Sequence, residues 1–532
     1  MPEVITHFLC AERLARPEHC GLHSSEFSVH RGFSREHGYT FPSLGYNALF
    51  GHNVSNRVRP GRSYDAPIGL FPRTTPMANT LPSSPLPTPC ALAPLTPYGA
   101  VVFCRVIDNF GDAGVAWDFV TQLRDWGLAP VLVIDHLPTL AVLVPSLKSD
   151  APLNDVDGVR ILQWDAFEEQ VNAGDLSAIG GVWPRLVVET FGCRLPDAVE
   201  RGMNDGRTRL WVNLEYLSAE DWVEGSHKLW GLVPQLPIKK LWFFPGFTDK
   251  TGGLLFLGTR DEARGQLARL AHFARLGLDP NRPTLFVFTY PENDLASLRQ
   301  ALEALPTPLN ILLASGNAGE RLAAGLANSA HRVVLLPPLP QDAFLNEHLA
   351  LADLAIIRGE HSFAYAQTIA LPFIWSIYPT EDFAHEVKLE AWLARLVTVL
   401  RQAGVSEAVL TDYLTLSRLW VSRVELKNAN EAQRHYPRTC DTEATCQMTA
   451  ALTRLLAPEA LTQLTEGFRA WVAGVYARGG LVENLLKEVP LTSEERRGLT
   501  AHPTPTFHGY RAGECRGEAL NGVSEDHKPH VS

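Results

Sequence analysis

Two short segments carry the side chains best suited to chemistry. The first is Asp108-Asn109-Phe110-Gly111-Asp112, with two carboxylates four residues apart on a tight turn. It follows the apolar run GAVVFCRVI and precedes VAWDFVTQLRDWG, so it falls where a strand ends and a helix opens, the usual edge of a ligand crevice in open parallel sheets. One carboxylate could hold a cationic acceptor by charge-assisted hydrogen bonds while the other removes a proton from it. Asp and Asn are also favoured in turns and at helix N-caps, so spacing alone leaves catalysis and capping both open. The second segment is Arg358-Gly359-Glu360-His361-Ser362, between DLAII and FAYAQTIA. Backbone N–H groups and an arginine at such a strand end suit a diphosphate, and Glu360 could accept a hydrogen bond from a ribose or sugar hydroxyl. An ordinary cap made by Ser362 or Glu360 fits the same residues.

Weaker candidates surround these two. Phe288, Tyr290 and Phe344 lie near strand ends or a helix start and could stack on a nucleobase, although each alone is as readily a core residue. Gly252 and Gly253 would let backbone approach a phosphate or sugar closely, but glycines in a connection also simply make turns.

The elements that must hold these residues alternate. GAVVFCRVI, PVLVID, RLVVET and RLWVNL read as strands of one α/β block, with helical spacing of Val115, Phe119, Leu123 and Trp126 between the first two. TLFVFTY, NDLASLRQALEAL, NILLA, RVVLL, DLAIIR and PFIWSIY repeat the alternation in a second block. Mostly parallel sheets with helices on both faces follow, as two doubly wound, Rossmann-like domains facing one cleft. GLVPQLPIKKLWFFPGFTDKTGG, rich in Pro and Gly, reads as their connection. The expected division is a disordered extension over residues 1–97, an acceptor-binding domain over 98–240, a nucleotide-sugar domain over 241–395, a helical part over 396–490 that packs back on the first domain, and a disordered tail over 491–532.

Composition excludes several classes. The 532 residues are 45% hydrophobic and 20% charged, enough to bury more than one core. A formal net charge of -11 argues against a broad nucleic-acid surface. Eight scattered cysteines without a CxxC pair fit a reducing cytoplasm, and no long apolar run or secretory-type start suggests a membrane partner or export. Dinucleotide, NTP-hydrolysing and zinc signatures are missing from the sequence.

In this order, CRVIDNFGDAGVAW, VVETFGC, WVNLEYLSAEDWVE, FFPGFTDKTGGLL, DLAIIRGEHSFAYAQ and PFIWSIYP resemble the bacterial elongation factor P arginine rhamnosyltransferase family over about residues 98–395, and more weakly to about 490. The resemblance implies a GT-B α/β fold and an inverting transfer of L-rhamnose from dTDP-β-L-rhamnose to an arginine of elongation factor P, which activates that translation factor. It implies no metal or other cofactor. Asp112 would be the general base and Asp108 would orient the guanidinium, with Asn109, Phe110 and Gly111 beside the substrate in the same turn. Phe288, Tyr290, Gln341 and Phe344 would surround the nucleotide base. Arg358, Glu360 and Ser362, with Gly359 and His361 in the same segment, would face the diphosphate and sugar. This chain departs from the family's usual RGEDSFVRAQ at His361 and Tyr365, and Pro338 stands where an aromatic precedes LPQ. Those departures leave two further readings, a GT-B or nucleotide-sugar enzyme with another donor or acceptor, and a non-catalytic nucleotide-sugar-binding protein.

Overall fold

The computed structural model describes residues 99–107, 110–233, 238–255, 266–341, 343–380, 382–424 and 441–491, with 493 and 496. Residues 1–97 and nearly all of 491–532, assigned above to an extension and a tail, lie outside the described residues, as do Asp108 and Asn109.

The first sheet has eight strands in the order β3-β4-β2-β1-β5-β6-β8-β7. They are β1 (Ala100–Cys104), β2 (Pro130–Ile134), β3 (Leu153–Val156), β4 (Val159–Gln163), β5 (Leu186–Thr190), β6 (Leu210–Leu214), β7 (Trp230–Leu232) and β8 (Lys239–Phe243). Only β3 and β7, at the two edges, run antiparallel to their neighbours. The central strands are buried at every residue and mostly apolar, with Glu189, Thr190 and Asn213 the polar members, as a parallel sheet covered on both faces requires. The second sheet is parallel, in the order β11-β10-β9-β12-β13, from β9 (Thr284–Val287), β10 (Asn310–Leu313), β11 (Arg332–Leu335), β12 (Leu354–Arg358) and β13 (Phe373–Ser376).

Two doubly wound halves are therefore present, as the alternation predicts, but the boundaries shift. A cut after 240 runs through β8, which completes the first sheet by pairing with β6. A cut after 395 runs through the helix Ala384–Gln402, whose buried stripe continues from Leu389, Trp392 and Leu393 to Leu396, Val397 and Leu400. The hairpin of β3 and β4 has a half-polar outer strand, LNDV, with no sequence signal strong enough to mark it.

Eight helices matter below: α1 (Phe110–Asp125), α2 (Leu295–Glu303), α3 (Glu360–Thr368), α4 (Ala384–Gln402), α5 (Glu407–Ser422), α6 (Thr442–Leu455), α7 (Pro458–Tyr476) and α8 (Leu481–Glu488). Helix α5 is fastened beneath β13 by the buried Tyr413 hydroxyl, which donates to the Phe373 carbonyl at 2.6 Å. The Asp294 cap of α2 is held by Arg423, just after α5, at 2.8 Å, and Arg423 also reaches the Asp441 cap of α6 at 3.0 Å. Helix α7 is tied to α3 by the Trp471 indole, which donates to Gln367. Helix α8 returns to the first domain, where Glu488 pairs with Lys228 and the Leu481 N–H reaches the Leu254 carbonyl. Among the described residues no helix is long and apolar enough to cross a membrane.

His227 gives this junction an acid sensitivity. Its Nδ1 accepts from the Phe244 N–H at 3.1 Å and its ring meets the Phe243 ring edge-on. Burial, helped by neighbouring Lys228, pushes its pKa down from 6.5 to about 4. A histidine held neutral in the fold but free to protonate when unfolded stabilises the fold above pH 6.5, and that contribution is lost as pH falls towards 4. His227→Gln, which keeps an acceptor for the Phe244 N–H, is expected to flatten the decline of unfolding free energy between pH 7 and 4. Parallel declines in wild type and variant would remove His227 as the cause.

Candidate active site

Both predicted segments sit at topological switch points. In the first sheet β1 lies between β2 and β5, so chain connections leave β1 and β5 in opposite directions, and the crevice opens at their carboxyl ends. Asp112 and Phe191 follow those two ends. In the second sheet β9 lies between β10 and β12, and its switch point carries Phe288, Tyr290 and Arg358.

Asp112 is in the first turn of α1 and is fully buried. Its Oδ2 accepts from the Ile107 N–H at 2.8 Å and its Oδ1 from the Tyr216 hydroxyl at 3.0 Å. Tyr216 is itself held by stacking on Phe191, with ring centroids 4.0 Å apart. Phe191 takes a positive φ of 56°, a costly conformation for an aromatic residue and one that places its ring on this spot. The Ile107 N–H and the Tyr216 hydroxyl, one on each oxygen, fix the orientation of the Asp112 carboxylate. Ile107, which donates to Asp112, and Phe110, which opens α1, are exposed apolar side chains, a rim suited to a docking surface. Next to Tyr216 in the chain, burial holds the Glu215 carboxyl above the usual carboxylate range, opposed by the Asn213 amide.

On the second domain, Gly359 has φ 74°, which lets the chain turn from β12 directly into α3. The Arg358 guanidinium lies 4.5 Å from the Phe288 ring centroid and 4.6 Å from that of Tyr290. One face of each ring expected to stack on a base is therefore covered by the arginine, a favourable cation–π arrangement. Phe344 meets Phe288 edge-on, and Tyr290 meets the exposed Tyr378 in the same way. Glu360 places Oε1 2.7 Å from Lys388 Nζ of α4. Ser362 is buried in the first turn of α3.

The two domains touch here through α1 and α3. Gly114, two residues after Asp112, packs on the His361 ring, where a Cβ would stand 3.1 Å from the ring carbon. One turn further, Asp118 Oδ2 lies 2.6 Å from His361 Nε2, and Asp118 Oδ1 accepts from Gln341 Nε2 at 2.7 Å. All three side chains are buried. Gln341, expected at the nucleotide base, reaches across the cleft with its Nε2 and supplies a donor that the buried Asp118 needs.

Gly252 and Gly253 do not form an open cradle. A Cβ on Gly252 would strike the Phe243 ring at 2.5 Å, and one on Gly253 would strike the Gly479 carbonyl at 2.6 Å. Asn484 Nδ2 also donates to the Gly252 carbonyl. Gly252 thus makes room for the Phe243 ring of β8 and Gly253 for the chain entering α8. Gly253→Ala, at φ 78°, is expected to lower stability by roughly 1–3 kcal/mol through strain and the clash. In steady-state kinetics its donor KM should match wild type, and a selective rise in KM would return Gly253 to the substrate contacts.

The sequence did not single out Asp118, Phe191, Tyr216, Lys388 or Tyr378. Asp118 carried a usable signal, an acid inside the apolar face of a helix. Tyr216 and Tyr378 lie within motifs already quoted, WVNLEYLSAE and PFIWSIYP. Lys388, in the surface-like stretch HEVKLE, carried none.

Comparison with known proteins gives a consistent picture. Residues 101–485 match the family described as Elongation-Factor P (EF-P) rhamnosyltransferase EarP. A protein-arginine rhamnosyltransferase of Pseudomonas putida is 35% identical over 361 residues, covering 63% of this chain and 90% of the relative. One from Pseudomonas aeruginosa is 33% identical over 312 residues, covering 55% of this chain and 80% of the relative. A solved structure concerned with EarP-mediated arginine glycosylation of translation elongation factor EF-P aligns with a TM-score of 0.44 at 24% identity, covering 73% of this chain and 97% of that one.

Proposed function

We propose, from the premise that this chain belongs to the Elongation-Factor P (EF-P) rhamnosyltransferase family EarP, that it moves L-rhamnose from dTDP-β-L-rhamnose to an arginine side chain of elongation factor P with inversion at C1. That it is a glycosyltransferase follows from the family. The observation supporting this assignment of parts is the packing of Gly114 on His361, which brings the first turn of α1, with Asp112, against the first turn of α3, with Arg358 just before it.

A guanidinium has a solution pKa of about 12.5–13.8, so prior deprotonation is unfavourable and proton removal must accompany attack. In the proposed step a guanidinium nitrogen forms a bond to C1 as the C1–O bond to dTDP breaks. The nitrogen's proton passes to Asp112, and the bonding pair leaves with the diphosphate. Arg358 and the unpaired N–H groups opening α3 meet the charge that develops on the departing diphosphate. No metal enters this scheme. Asp108, four residues before Asp112 in the sequence, would orient the guanidinium.

A different donor is the second reading. It is favoured by His361 engaging Asp118 where the family's segment usually has an acid. A donor panel separates the two: with elongation factor P present, nucleoside diphosphate release should be fastest with dTDP-β-L-rhamnose. Faster release from UDP-glucose or GDP-mannose would move the assignment to that donor.

A further inference from the structure

We infer that Lys388 is a positioning residue for the donor, acting through Glu360, whose carboxylate it holds ready for a hydroxyl of the nucleotide sugar. The inference rests on the nucleotide-sugar reading above.

Lys388 comes from α4, outside both switch points, yet its ammonium stands between them. It pairs with Glu360 Oε1 at 2.7 Å, and both side chains are largely buried, 20% and 18% exposed. It also lies 5.8 Å from the ring centroid of Tyr216, whose hydroxyl holds Asp112, and 5.7 Å from that of Trp375. A single cation is thus placed against the donor-side acid and beside the tyrosine that anchors the acceptor-side acid.

Glu360 is half satisfied. Oε2 is buried and has no hydrogen-bond partner among the described residues. Buried polar atoms are almost always partnered, so an orphan acceptor beside Arg358 at the opening of α3 calls for a donor from outside the chain. A diphosphate cannot supply it, since a carboxylate repels phosphate oxygens. A sugar hydroxyl can, and the nucleotide sugar offers hydroxyls on both rhamnose and deoxyribose. Lys388 makes this workable because it fixes the carboxylate's orientation and offsets the negative charge that Glu360 would otherwise place next to the donor's phosphates.

The test compares dTDP-β-L-rhamnose and dTDP as titrants against wild type, Lys388→Met and Lys388→Arg. Lys388→Met should weaken binding about 10-fold or more, the usual worth of a hydrogen bond to a charged group, with kcat changed far less than donor KM. Lys388→Arg should recover most of the loss. Lys388→Gln serves where the Met variant does not fold. Loss with the nucleotide sugar alone assigns the hydroxyl to rhamnose, and equal loss with dTDP assigns it to deoxyribose. In a double-mutant cycle Lys388→Met should add little to Glu360→Gln, because both act through one carboxylate. Unchanged donor binding in Lys388→Met, or simple additivity with Glu360→Gln, would overturn the inference. Failure of wild type to bind the nucleotide sugar would instead sink the reading on which it rests.

Discussion

Asp112→Asn is expected to lower turnover by roughly 10²–10⁴-fold, the range a positioned general base contributes, while donor affinity stays at the wild-type level. The substitution is informative because it removes basicity with little else. The asparagine Oδ1 can still accept from the Ile107 N–H, and its amide can donate to the Tyr216 oxygen, which holds Asp112 by donating. The turn, the α1 opening and the Phe191–Tyr216 stack should survive. Initial rates with elongation factor P, a donor titration and a thermal melt on one preparation separate the effects. Near-normal turnover would assign the proton to another group, and Glu215, whose carboxyl burial already holds high, would be the next to test. Lost donor binding would show that the turn supports the cleft rather than the proton transfer.

His361→Asp is the second large effect, although it restores the residue usual in the family's RGEDS segment. In this chain Asp118 Oδ2 stands 2.6 Å from His361 Nε2, and Asp118 Oδ1 accepts from Gln341 Nε2 at 2.7 Å. An aspartate at 361 withdraws a donor and sets a second carboxylate opposite the first in a buried site, where like charges cannot both ionise cheaply. Breaking a buried pair in this way costs about 3–5 kcal/mol. Denaturant unfolding should report that loss, and adding Asp118→Asn should return much of it by removing the facing charge. A His361→Asp protein as stable as wild type would show that the α1–α3 contact does not depend on this pair.

The sequence disclosed the parts whose signals are local. β1 is an unbroken apolar run and β5, β9 and β12 carry the apolar stretches LVV, LFV and LAII, so Asp112, Arg358 and Glu360 could be placed at strand ends from order alone. What depends on a distant partner was hidden. Gln341 was identified, but its bond to Asp118, 223 positions away, was not. Lys388 looked like solvated helix because its partner Glu360 is brought to it by tertiary packing. Gly252 and Gly253 announced a close approach without saying to what, and the answers are the Phe243 ring for the first and the entry to α8 for the second. KKLWF read as connection because proline flanks it on both sides, whereas pairing with β6 makes it a strand. Phe288 and Tyr290 were legible as aromatics near a strand end, but not the Arg358 side chain lying across their rings.

The central claim is tested most directly by fragmentation mass spectrometry of elongation factor P after incubation with this chain and dTDP-β-L-rhamnose. One deoxyhexose on the guanidinium of a single arginine in the first domain of the factor, lost when Asp112 is replaced by Asn, is the predicted result. Factor recovered unmodified while the donor is consumed, or carrying its sugar on a residue other than arginine, would contradict it.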